Sequence, residues 1–159
     1  MSIAQIFQPD HDHYEGVRPI NIYMLRIFYF LMAAFVATDA WRTLFAHVGA
    51  WDRFRAMAFC VWAAYPTLAV LGLIHPLRML PLMLFMILYK SLWLIVVAYP
   101  LWRAGTLAGS PAEAMTRAFI GVPVAMLAVP WGYVFRQYVM WPRNHGARRQ
   151  PIQGAPAAL

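Results

Sequence analysis

The chain has 159 residues, of which 62% are hydrophobic and 12% charged, against about 45 to 50% apolar and about 25% charged in an average soluble domain. That composition excludes a soluble globular protein, and 16% aromatic residues together with 12 prolines exclude a disordered tract or a simple coiled coil. The net charge of +7 comes from arginines that punctuate apolar segments without forming a stripe, so it points to lipid headgroups and membrane orientation and not to nucleic acid.

Residues 1–20 form a polar, acidic arm (PDHDHYEGVRP) with no basic n-region ahead of the first apolar run, so the first span is expected to be retained and not cleaved as a signal. Span one is predicted over 21–46, with a charge-free centre at 27–38, Arg26 near one end and Asp39, Trp41 and Arg42 toward the other. A short link with Trp51, Asp52, Arg53 and Arg55 leads to span two at 56–77, which holds no charged side chain. A stretch of that length and apolarity fits the hydrocarbon core of a bilayer. Cys60, the only cysteine, has no intrachain partner and is expected to be a small buried hydrophobe.

His75, Pro76 and Arg78 predict a tight turn at a water interface, because proline disfavours helix at the residue before it. Span three, 80–102, is apolar except for Lys90 near its middle. The following loop carries AGTLAGSP, and Ser110, Pro111 and Glu113 predict the start of a short interfacial helix with a capping box. Span four is predicted over 118–141, ending with Arg136, Tyr138 and Trp141; Gly121, Pro123, Pro130 and Gly132 make it the span expected to kink. The tail, 142–159, is basic and punctuated by proline and glycine. The fold class is therefore an all-α polytopic membrane protein, four transmembrane helices in an up-down bundle spanning 21–141.

Four spans place both termini on one side. Arg18, Arg26, Arg78, Arg136, Arg143, Arg148 and Arg149 fall on that side and Arg42, Arg53, Arg55, Arg103 and Arg117 on the other, a bias toward cytoplasmic termini in a bacterial cytoplasmic membrane. Arg26, Arg42, Arg78, Arg103 and Arg136 with Trp41, Trp102 and Trp141 are the expected headgroup and interface anchors. Small residues at Ala33, Ala34, Ala37, Ala63, Ala64, Gly121, Ala125 and Ala128 allow helices to approach closely.

Lys90 is the most costly residue in the chain, since a charge near the bilayer centre costs at least about 2.5 to 3.5 kcal/mol on insertion scales. It needs a partner, and the candidates are Asp39 and the hydroxyls of Tyr29, Tyr65, Ser91 and Tyr99. Asp10, His11, Asp12 and His13 are ligand types suited to a weak zinc, copper or nickel site, set in an arm with no evident scaffold. His47 and His75 fall at opposite membrane ends, which leaves no facing pair for a haem. No nucleophile and base pair, phosphate loop or spaced acid pair is present, so the sequence assigns no catalytic residue and no cofactor.

The stretch PLMLFMILYKSLWLIVVAYPLW, with Tyr-Lys-Ser-Leu-Trp as its most distinctive part, resembles small bacterial four-span membrane proteins; no activity is carried over from that resemblance. The expected function is a non-catalytic accessory or structural subunit of a larger membrane complex or homo-oligomer, with lipid and other membrane subunits as partners. The alternatives are a small transporter or channel with Lys90 lining the pathway, and a membrane-embedded metal or redox protein.

Overall fold

Apolar runs broken by prolines dictate helices whose ends fall at prolines, glycines and charged clusters, and the computed structural model follows that rule over the residues it describes, Gln8, Asp10 and 14–140. Among them every regular element is helical, apart from one isolated backbone bridge between Asp10 and Val17. Helix α1 (Pro19–Ala46) opens on a proline whose fixed φ suits the first turn, and it contains a π-helical stretch at Met32–Ala37. Helix α2 (Arg53–Ile74) is capped by Asp52, whose Oδ1 accepts from the Arg55 backbone N–H at 2.9 Å. Helix α3 (Leu80–Arg103) has a second π-helical stretch at Leu94–Ala98, just ahead of Pro100. Helix α4 (Ala112–Ala128) and helix α5 (Trp131–Val139) meet at a bend of 71°.

Helices α1, α2 and α3 are long and apolar enough to cross a membrane, and α4 with α5 makes a fourth such segment if the bent pair counts as one span. The boundaries differ from the sequence expectation in instructive ways. Helix α2 starts at Arg53 and stops at Ile74, not at 56 and 77, because Asp52 supplies a cap at one end and Pro76 forbids helix at the other. The fourth segment is not one continuous helix over 118–141: it begins at Ala112 and breaks around Val129 and Pro130.

The short helix expected near Ser110 forms, over Ala112–Phe119, without the expected capping box. The Ser110 hydroxyl donates to the Leu107 carbonyl at 2.7 Å, and the Glu113 carboxylate accepts from the Gly109 backbone N–H at 2.7 Å and pairs with Arg117 one turn on. Cys60 is exposed on α2, not buried.

Helices α1 and α2 run in opposite directions, since Trp41 meets Thr67 while Tyr29 meets Gly72 and Pro76. Pro66 inside α2 cannot donate to the carbonyl four residues back. Beside it the Thr67 hydroxyl donates to the Ala63 carbonyl at 2.6 Å and accepts the Trp41 indole N–H at 3.0 Å, which ties α1 to α2. Lower down, Tyr29 is fully buried against Gly72: a Cβ at that glycine would stand 2.5 Å from the ring. The Tyr29 hydroxyl donates to the Pro76 carbonyl at 3.1 Å. Leu25 and Tyr29 of α1, Tyr65 and Ala69 of α2, Met83 and Met86 of α3, Val122 and Ala125 of α4 and Val134 of α5 belong to one core.

Candidate functional site

A cleft of about 330 Å³ opens between α1, α3 and α4, and Lys90 is the charged residue in its wall. Phe28, Met32 and Phe35 come from α1, Met86 and Lys90 from α3, and Ala118, Gly121 and Ala125 from α4. The rim is open to the surroundings through Phe35, 65% exposed, and through the exposed Ala118 and Gly121. Apart from the lysine the walls are apolar.

The Lys90 ammonium lies 5.0 Å from the centroid of the Phe119 ring. Phe119 itself is buried and held edge-on by Tyr89, at 5.6 Å, and by Trp93, at 6.2 Å. Tyr89 is fixed in turn by a 2.9 Å hydrogen bond between its hydroxyl and that of Tyr65. An aromatic face is worth about 0.5 to 2 kcal/mol to a cation, less than the cost of about 2.5 to 3.5 kcal/mol for a lysine at the centre of a bilayer. The ring therefore offsets part of that cost and leaves the rest.

None of the expected partners supplies it. Among the described residues the Lys90 ammonium forms no ion pair with Asp39 and no hydrogen bond. The Tyr29 and Tyr65 hydroxyls are engaged elsewhere, by Pro76 and Tyr89, and Tyr99 is exposed beside Trp102. Ser91 Oγ and the Trp93 indole nitrogen are buried with no hydrogen-bond partner. The cleft thus presents a cation with no acceptor to receive it, and behind the same ring, on the same helix, lies a buried indole donor that is also without an acceptor. Phe119 and Trp93 are the members of the site missed in the sequence, where nothing marks Phe119, 29 positions away, as the neighbour of Lys90.

Asp39 is exposed on α1, and its backbone carbonyl accepts the Thr43 hydroxyl at 3.0 Å while its carboxylate has no partner among the described residues. Of the expected headgroup and interface anchors, Trp41, Arg42, Arg78, Trp102, Arg103 and Arg136 are exposed, whereas Arg26 is half-buried with Nε unpaired. Trp141 lies outside the described residues, as do His11, Asp12 and His13 of the weak metal site. Asp10 is described, and its backbone closes a tight turn, accepting from the Gly16 N–H at 2.8 Å. Among the described residues no three His, Cys, Asp or Glu side chains come together in a metal-binding group.

No protein-family model, curated protein or solved structure matches the chain.

Proposed function

We propose that the chain is a four-span, up-down integral membrane protein of a bacterial cytoplasmic membrane, with both termini on the cytoplasmic side. In this account it works as a non-catalytic accessory or structural subunit of a larger membrane complex or homo-oligomer. The observation that supports this is the open cleft in which Lys90 meets an aromatic ring and no acceptor. A charge in that position is retained in lipid only when something answers it, and an acidic group on a neighbouring chain has both the sign and the membrane depth to do so. Exposed aromatic and aliphatic side chains around the rim, such as Phe35 and Leu31, give that neighbour a surface to pack on.

The experiment is the mass of the protein extracted in mild detergent, measured for the native chain and for Lys90→Met. An assembly of at least twice the 18.2 kDa of the chain, loosened by the substitution, is the expected result. A lone native monomer at that mass would overturn the proposal.

Transport along a Lys90-lined path is the alternative, favoured by the 71° break between α4 and α5, since broken helices line pathways in transporters. Apolar walls throughout the rest of the cleft give it less support. Unchanged flux in proteoliposomes carrying Lys90→Met would remove it.

A further inference from the structure

We infer that the counter-charge of Lys90 is Asp39 of a second copy of this chain, with two copies packed side by side through the face formed by α1 and α4. This rests on the subunit role proposed above and gives it a partner.

Two opposite charges stand unanswered on the same face. The Lys90 ammonium has an aromatic ring and no acceptor, and the Asp39 carboxylate is exposed with no partner among the described residues. Helix α1 links the two: its Phe35 lines the same cleft as Lys90 of α3, and Asp39 follows four positions later. Four residues of helix rise about 6 Å, a distance the flexible lysine stem covers. Copies standing upright beside each other at the same depth therefore bring Lys90 of one within reach of Asp39 of the other.

Within one chain the pair does not form: the Lys90 ammonium lies over the Phe119 ring of α4, and Asp39 is not among the residues that line its cleft. Arg42, the nearest basic residue along α1, lines a different groove with Trp41, Phe45 and Thr67 between α1 and α2, and makes no ion pair with Asp39. The α4 side of the face is low in relief. Ala118 and Gly121 are exposed, and a Cβ at Gly121 would meet nothing within 4 Å, so a neighbouring helix has room to approach. A two-fold arrangement uses each charge once per copy and forms the pair twice, which leaves neither charge facing lipid.

The test is dimerisation in phosphatidylglycerol and phosphatidylcholine liposomes, read by energy transfer between labelled copies. Lys90→Met and Asp39→Asn should each weaken self-association at least about tenfold. Mixing the two variants should restore much of it, because Lys90 of one meets Asp39 of the other. Each substitution removes an unpaired charge from an apolar setting, so helicity and thermal unfolding of the monomer serve as the folding control. Self-association lost in Lys90→Met but kept in Asp39→Asn would overturn this inference and leave the subunit role standing, with Lys90 answered by a different group of the second copy. Native dimers indifferent to both variants would also overturn it, and a native monomer with no partner would overturn the subunit role as well.

Discussion

The side-chain amide of Asn21, in the first turn of α1, donates to the carbonyl of Ala128, the last residue of α4, at 3.1 Å. That carbonyl and its neighbours are freed because Pro130 ends the helix and has no N–H to offer. The Asn21 amide also reaches the Leu127 carbonyl at 3.5 Å, and the Trp131 indole N–H donates to the Met126 carbonyl at 2.9 Å. In an apolar surrounding each unsatisfied carbonyl is costly, so these side-chain donors make the 71° bend tolerable. Replacing Asn21 with leucine should cost about 1 to 2 kcal/mol, measured as unfolding in a graded mixture of mild and denaturing detergent. An unchanged transition would show that water caps these carbonyls just as well.

Gly72 permits the closest approach of α1 and α2, since its missing Cβ is the space in which the Tyr29 ring sits. Gly72→Ala forces the fully buried ring to shift and is expected to lower stability by about 1 to 3 kcal/mol. The drop in thermal midpoint checks it, with Gly132→Ala, where a Cβ meets nothing within 4 Å, as the comparison that should move much less.

Tyr29→Phe keeps the ring and removes only the hydroxyl that donates to the Pro76 carbonyl. A loss of about 1 kcal/mol is expected, smaller than that of Gly72→Ala. If the two losses were equal, the hydrogen bond and not the ring packing would be holding the turn after α2 against α1.

Lys90→Met should leave the isolated monomer as stable as the native chain, or more so, because it removes a half-buried charge whose neighbour is a ring and fills the same apolar cleft. Unfolding in detergent at high dilution reads this. A destabilised monomer would mean that Lys90 has an answering group within its own chain.

Hydropathy made α1, α2 and α3 legible because twenty or so apolar residues leave few other structures in lipid. Pro130 was visible as a break in the fourth span, but whether a proline kinks a helix or ends it depends on what caps the freed carbonyls. Here that is Asn21, separated by 107 positions. The π-helical stretches in α1 and α3 carry no distinct sequence signal. Ser110 and Glu113 have capping-box spacing, yet each bonds to a different backbone group, Leu107 and Gly109. Lys90 stood out as a lone charge in an apolar run, whereas its ring partner Phe119 sits on another helix and is one of 10 phenylalanines.

The most direct measurement is zero-length cross-linking of native membranes with a membrane-permeant carbodiimide, which joins an amine to a carboxylate in contact with it, followed by mapping of the Lys90 peptide. An amide between Lys90 and a carboxylate of another chain, absent in Lys90→Arg, is the predicted result. A bond from Lys90 to Asp39 of its own chain, or an unlinked Lys90 in a protein migrating at 18.2 kDa, would contradict the account.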